Sequence, residues 1–262
     1  MIKITLATVC YNAAHQLPPT LASVAEQDYP AVEHLIIDGA STDDTATLLA
    51  DYRAQGERAA APRRHEIVVL SEPDRGLYDA MNKALQRATG QYVLFLNAGD
   101  RLHRTDTMRC IVEQLPQEAE TPLPAVLYGD THLVDADGRF LRRRRLVPPE
   151  RLHWRSFAEG MLVCHQAFFA RTDLARMHPY DLRYRFSADF DWCIRILRAA
   201  DQAHLPLHNT HLVVADYLSE GMTTRHHKAS LRERFSIMCR HYGFFSTLLH
   251  HAWFVVRALL HR

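Results

Sequence analysis

The chain has 262 residues, 47% of them hydrophobic, with 31 Lys and Arg against 30 Asp and Glu. A net charge of +1 excludes a protein held to nucleic acid by bulk charge. Five scattered cysteines without a C-x-x-C pair favour a reducing compartment and buried thiols over disulfides or a zinc cluster.

In chain order, Lys3 to Cys10 is rich in β-formers and predicts a strand, followed by a turn at Tyr11-Asn12. Leu17 to Gln27 predicts a helix. Leu17, Leu21 and Val24 share a face, and Pro18 and Pro19 fall in the first turn, where proline is tolerated. Glu33 to Asp38 predicts a second strand. A loop with capping residues, Ser41 to Thr45, leads into a helix reaching about Tyr52, with Ala54 to Arg64 as a surface connection. Glu66 to Ser71 predicts a third strand and Leu77 to Ala88 a third helix closed by Gly90. Tyr92 to Leu96 is continuously apolar, the pattern of a strand buried on both faces, and it stops at Asn97-Ala98-Gly99-Asp100. Four strands alternating with three helices predict a parallel, right-handed doubly wound unit. Its strands end in Thr8 to Asn12, Asp38, Asp74 and Asp100, where open α/β sheets bind ligands.

Further on, a helix is expected near Thr105 to Gln114, then a Pro/Glu-rich connection over residues 116–124. Ala125 to Asp130 predicts a strand. Thr131 to Asp135 and Arg139 to Leu146 flank an Ala136-Asp137-Gly138 hairpin turn. Cys164 to Arg171 and Leu212 to Leu218 read as strands, Ser187 to Ala200 as an amphipathic helix, and Lys228 onward as helices divided at Gly243. The expected organisation is a half over residues 1–115, a second half of the same domain over 125–227, and C-terminal helices over 228–262.

The series Tyr11-Asn12, Ile37 to Asp43, Asp74 to Lys83, Leu94 to Asp100 and Ala188-Asp189-Phe190-Asp191-Trp192 resembles glycosyltransferase family 2, in the branch of bacterial exopolysaccharide and colanic-acid-type enzymes. The likeness covers roughly residues 3–225. It implies a GT-A fold, which is a Rossmann-like α/β architecture with a mostly parallel central sheet flanked by helices. It also implies a nucleotide-diphosphate-sugar donor, a divalent cation (Mn²⁺ or Mg²⁺), and inversion at the anomeric carbon. Asp38 and Asp74 match the positions that hold base and ribose. Asp100 matches the last acid of the metal-binding D-x-D element, and Asp189 the catalytic base. Thr8, Val9, Tyr11, Asn82 and Asn97 complete the expected donor set. The family usually has two consecutive acids after its second strand, whereas the second is Gly39 here. The D-x-D element is reduced to Asn97-x-Gly99-Asp100.

From the residues alone, Asp189 suits either a helix cap or a general base, with Asp191 a cap or supporting partner. Arg75 and Lys83 suit either a diphosphate contact or a solvated helix face. His165-Gln166 borders an acceptor site or forms a satisfied core histidine, and Gly160 suits a loop at the acceptor. His226 or His227 is the candidate late histidine of the metal site. His204, His208 and His211 lack a finger's spacing and are read as surface residues. Arg142 to Arg145 is either a solvated hairpin edge or a contact to acceptor pyrophosphate or anionic lipid. Phe244 to Arg262 suits an interfacial helix on a membrane or a helix packed on protein, and no run reaches the ~18 apolar residues that span a bilayer. The acceptor implied is a glycan or a polyprenyl-diphosphate-linked chain. Met1 runs straight into strand residues, so the expected location is cytoplasmic, with a peripheral contact on the inner membrane face. The competing readings are a non-catalytic nucleotide-sugar or glycan-binding subunit of the same fold, and a nucleotidyltransferase. The nucleotidyltransferase wants a glycine-rich basic loop where Tyr11-Asn12-Ala13-Ala14-His15 stands.

Overall fold

The computed structural model describes residues 1–116, 121–219 and 227–260, with the side chains of 258–260 left aside. One sheet organises them. Strands β1 (Ile4–Cys10), β2 (Val32–Asp38), β3 (Glu66–Ser71) and β4 (Tyr92–Phe95) run parallel in the order β3-β2-β1-β4. Helices α1 (Leu17–Ala25), α2 (Thr45–Arg58) and α3 (Leu77–Arg87) make the crossovers. β1, β2 and β4 are buried along their whole length, as expected for strands covered on both faces.

The sheet then changes direction. β8 (Phe168–Arg171) adds antiparallel to β4, and β6 (Val126–Val134) antiparallel to β8. β9 (Leu207–Leu218) runs parallel to β6, and the two-residue β5 (Arg101–Leu102) closes the row antiparallel to β9. β7 (Phe140–Arg143) pairs with β6 beyond the end of β8. Both predicted halves therefore contribute strands to a single sheet. α4 (Thr107–Val112), α5 (Thr172–Met177) and α6 (Ala188–Gln202) flank it. α7 (His227–Tyr242) and α8 (Phe244–Leu260) follow, broken at Gly243, whose φ of +85° suits glycine.

Several expectations need correction. α2 continues to Arg58, so the Ala-rich stretch read as a surface connection starts in the helix. Gly90 is not a left-handed cap. A Cβ there would stand 2.7 Å from both the Lys3 carbonyl oxygen and the Thr5 nitrogen, so the glycine permits a close backbone approach. The stretch from Ala125 to Asp135, expected as two strands, holds one nine-residue strand, Val126–Val134. The segment before β8 opens with a short 3-10 turn, His165–Ala167. α5 and β5 were not foreseen.

The main apolar core lies between the sheet and α3, α5 and α6. Trp192 stacks on Tyr180 at 4.8 Å between centroids and meets Phe95 and Phe168 edge-on. Burial of aromatics this large fixes α6 against the tip of β4, where the candidate site forms.

Candidate active site

The loops after β1 and β2 are held in unusual backbone conformations. Asn12 and Ala40 both have left-handed φ, at +48° and +61°. The strain is offset by cross-loop hydrogen bonds. The Asn12 amide N–H donates to Ser41 Oγ (2.8 Å), and Asn12 Oδ1 accepts from the Thr42 N–H (2.8 Å). Tyr11 projects from this platform 62% exposed, a flat aromatic face at the edge of the sheet.

Asp38 is buried at the end of β2. Its carboxylate accepts from Ser71 Oγ (2.6 Å), the Ser41 N–H (3.1 Å) and the Ser41 hydroxyl. It locks the loop and is less available to a ligand than expected. Asp74 is half-buried and accepts from the Gly76 N–H at 2.7 Å. A Cβ on Gly39 would lie 2.5 Å from Asp74 Oδ2 and 3.3 Å from the Tyr11 ring, so Tyr11, Gly39 and Asp74 meet in one place.

Two residues of the expected donor set have other work. Thr8 is fully buried. Its hydroxyl donates to the Leu96 carbonyl (2.8 Å) and lies 3.0 Å from His34 Nε2, whose other nitrogen reaches Tyr52 at 2.8 Å. Burial holds His34 neutral, down to about 3. The Thr8 and Val9 side chains are inside, so only their main chain faces the strand ends. Asn82 gives Nδ2 to the Tyr180 carbonyl (3.0 Å) and takes the Tyr180 N–H at Oδ1 (2.7 Å). It clamps the segment that leads into α6, with one N–H and the amide oxygen engaged there. Lys83 bonds the Pro73 carbonyl and Glu72, while Arg75 pairs with Asp79 on the surface.

At the tip of β4, Asn97 to Asp100 forms a tight turn, with the Asp100 N–H on the Asn97 carbonyl (3.0 Å) and Gly99 at φ +97°. Thr20 of α1 holds this turn by accepting from the Gly99 N–H and donating to the Asp100 carbonyl. The Asp100 carboxylate is only 3% exposed, accepting from Gln166 Nε2 (2.8 Å) and the Leu218 N–H (3.0 Å). Burial pushes its acid up to about 6, even though those two donors favour the ion. Asp100 is thus a closed group, contrary to an open metal carboxylate. A cation reaching it must share or displace one of these donors.

Asp189 sits in the first turn of α6 but does not cap it. Its Oδ1 accepts from the Tyr78 hydroxyl (3.0 Å), and its Oδ2 lies 3.2 Å from His165 Nδ1. Burial alone would raise its acid. The His165 hydrogen bond, Arg234 and Tyr78 outweigh that and hold it below the ordinary carboxylate range. His165 Nε2 in turn lies 3.0 Å from Asn97 Nδ2. A hydrogen-bonded line therefore joins the tip of β4 to the first turn of α6. Asn97 Oδ1 is buried without a partner among the described residues. His165, expected either to border an acceptor site or to be a satisfied core histidine, is a direct partner of Asp189, and so is Tyr78, which no motif singles out. Tyr78 is 111 positions away and looks like an apolar-face residue of α3. Asp191 is fully buried between Arg195 (2.6 Å) and His241 (2.8 Å), tying α6 to α7.

Other candidates are dispersed. His226 lies outside the described residues, and His227 is exposed at the start of α7. His208 bonds Gln114 and His211 approaches Glu150, on the surface as expected. Gly160 ends a 3-10 helix with φ +116°. Within the basic run, Arg144 bonds the Met161 and Leu162 carbonyls, and Arg145 bonds the Arg257 carbonyl of α8. A cleft of about 450 Å³ opens between α2 and β3, but of the expected residues only Asp38 lines it.

A parallel β-unit with strand-end polar groups, continued by antiparallel strands and a buried acid on a facing helix, defines the GT-A class of fold. The family model for glycosyl transferase family 2 matches residues 5–176. A PGL/p-HBAD biosynthesis glycosyltransferase of Mycobacterium bovis is 32% identical over 223 residues, covering 84% of this chain and 78% of that protein. The amylovoran biosynthesis glycosyltransferase AmsB of Erwinia amylovora is 28% identical, covering 81% and 70%. Among solved structures, the Pyrobaculum calidifontis mannosyltransferase PcManGT, in complex with GDP-Man and Mn²⁺, has a TM-score of 0.64 at 17% identity, covering 99% and 78%. S. aureus TarS gives 0.63 at 17% identity, and this chain spans 91% of itself but 40% of that protein. At these identities the structural likeness speaks for the fold. The chain belongs to glycosyl transferase family 2.

Proposed function

We propose that this glycosyltransferase inverts configuration as it moves a sugar from a nucleotide-diphosphate donor to a glycan or polyprenyl-diphosphate-linked acceptor in bacterial surface polysaccharide synthesis. The observation that carries the reading is the line Asn97–His165–Asp189, with 3.0 and 3.2 Å between its members. It ties an ionised carboxylate to the strand tip where the family binds its donor.

Inversion by single displacement needs one base. The acceptor oxygen forms its bond to the anomeric carbon while the bond from that carbon to the diphosphate oxygen breaks, and the acceptor proton passes to Asp189. Because Asp189 is held ionised, it accepts late, after bond formation has acidified the hydroxyl. His165 and Tyr78 fix the direction of its free lone pairs. Tyr11 offers its exposed ring to a nucleobase, and Asp74 lies beside it for the ribose.

A divalent cation of hard character fits the donor set at the β4 tip, where the orphaned Asn97 Oδ1 and the Asp100 carboxylate are both oxygen donors. When bound, it would supply charge neutralisation for the departing diphosphate.

The exposed face of α8 supports a peripheral contact with an anionic membrane surface, which agrees with a lipid-linked acceptor and a cytoplasmic enzyme. Phe245 and Leu249 are 80% and 72% exposed, with Trp253 and Val256 continuing the stripe, and Arg145 and Arg257 lie at its far end. No described helix is long and apolar enough to cross a membrane.

The test is nucleoside diphosphate release from a panel of UDP- and GDP-sugars with lipid-linked acceptors, with and without Mn²⁺. Asp189→Asn should lose about 10²–10⁴-fold in turnover while retaining donor affinity. Normal turnover in that variant would show that Asp189 is not the base. The closed state of Asp100 favours one rival, a non-catalytic binding subunit. Cation-independent donor binding without transfer across the whole panel would establish it.

A further inference from the structure

Among the described residues, one set of three His, Cys, Asp or Glu side chains brings its donor atoms together: His103, His132 and Asp216. None belongs to the site above or to the sequence motifs named for it. Strand register assembles them. His132 of β6 and Arg101 of β5 are both opposite Asp216 of β9, one on each side. His103 lies two residues beyond Arg101 and on the same face, held by its N–H on the Val214 carbonyl (3.0 Å). Three neighbouring strands thus direct three side chains to one patch. His103 Nδ1 is 2.8 Å from Asp216 Oδ1, His132 Nδ1 is 4.0 Å from the same oxygen, and all donor atoms lie within 4.8 Å of one another. The two imidazoles meet edge to face at 5.0 Å, and Phe140 of β7 covers His132 at 4.9 Å.

We propose that His103, His132 and Asp216 bind a transition-metal ion of zinc type, separately from the hard cation of sugar transfer. With bonds of about 2.0–2.1 Å, tetrahedral ligand atoms stand roughly 3.3 Å apart, inside the range these donors already span. Small side-chain rotations close the difference. Two imidazoles with a single carboxylate suit Zn²⁺, Co²⁺ or Ni²⁺, whereas Mg²⁺ prefers all-oxygen sites. The ligands are 30%, 17% and 20% exposed, so the ion keeps a position for water and can enter from solvent. Its role is to join three strands. β5 follows directly from Asp100, and β6 carries the hairpin bearing the basic run, so the ion would staple the edge of the sheet beside the β4 tip.

The test uses the full chain, stripped with EDTA and titrated with Zn²⁺ and Co²⁺ by calorimetry and visible absorption. One equivalent of Zn²⁺ should bind, raise the melting temperature and displace Co²⁺, whose tetrahedral absorption reports nitrogen and oxygen ligands. His132→Gln and His103→Gln should each weaken binding at least tenfold, and Asp100→Asn should leave it unchanged. Circular dichroism checks that the variants fold. For a variant that does not fold, X-ray absorption of the Zn²⁺-loaded wild type gives the answer by counting two histidine ligands. Absence of a stoichiometric Zn²⁺ site, binding indifferent to both histidine substitutions, a ligand shell without two imidazoles, or preference for Mg²⁺ would overturn the proposal. Loss of glycosyl transfer plays no part in the readout.

Discussion

Replacing Asp100 with Asn should stabilise the fold at high pH while abolishing cation-stimulated activity. The carboxylate is 3% exposed, and its acid is raised from 3.8 to about 6 by burial. A folded-state pKa above the unfolded one means the protonated acid favours the fold. That stabilisation is complete below the unfolded value near 3.8 and is lost as pH rises through about 6. A shift of about two units corresponds to about 3 kcal/mol, present as a cost at pH 8 and absent near pH 3.5. Asn removes the charge at every pH. Its Oδ1 can keep the Leu218 N–H, but its NH₂ faces the Gln166 amide, which must turn over. Turning it gives up the Cys164 thiol bond to Gln166 Oε1, at about 1 kcal/mol at any pH. The variant's advantage over wild type should therefore grow by about 2–3 kcal/mol between pH 4 and pH 8, or several degrees of melting temperature for a chain of this size. Urea melts of both proteins in EDTA at several pH values measure it. A difference independent of pH, or one that grows in acid, would refute the view that this carboxylate is buried and desolvated.

Tyr78→Phe removes a donor that helps depress Asp189, so its acid rises toward the ordinary range and the acid limb of kcat moves to higher pH. A depressed acid contributes stability above its unfolded pKa that is lost as pH falls through the folded one, so this variant should also lose less stability on acidification. Asn82→Ala breaks both hydrogen bonds to Tyr180 and should cost about 1–3 kcal/mol in denaturant melts, lowering kcat more than it raises KM, because the displaced segment leads into α6, which carries Asp189. Phe245→Glu combined with Leu249→Glu should weaken co-sedimentation with anionic phospholipid vesicles more than about tenfold while leaving the melting temperature unchanged, since both side chains are exposed. Unchanged sedimentation would remove α8 from the membrane reading.

The doubly wound half was readable because its signals are local. The runs at 4–10, 32–38 and 92–95 are rich in β-formers, the last of them continuously apolar, and the polar residues that stop them mark the ligand edge. The far half was harder. β5 has two residues and exists only because β9 offers an edge, so no periodicity can announce it. β6 reads as two strands parted after Asp130, beside Gly129, where a Cβ would come 2.5 Å from the Leu212 carbonyl oxygen and only a glycine allows so close an approach. Within the site, the acids stand at or beside the strand and helix ends where motif spacing put them, but their partners do not follow from spacing. Nothing in the order of residues says that Asn82 faces Tyr180 rather than a nucleotide, or that Thr8 turns inward to His34. Those outcomes depend on how α3 and α6 pack across the sheet.

Gly39 carries a consequence for redesign. Its missing side chain leaves the room in which Asp74 Oδ2 sits, 2.5 Å from where a Cβ would stand, with Asp74 anchored by the Gly76 N–H. Writing the usual second acid back into this position would not add a contact to an intact pocket. It would push two carboxylates together and dislodge the one already there. A route to that other arrangement must change both positions in step, so for this chain the choice between the two ways of holding a nucleoside is a valley rather than a slope.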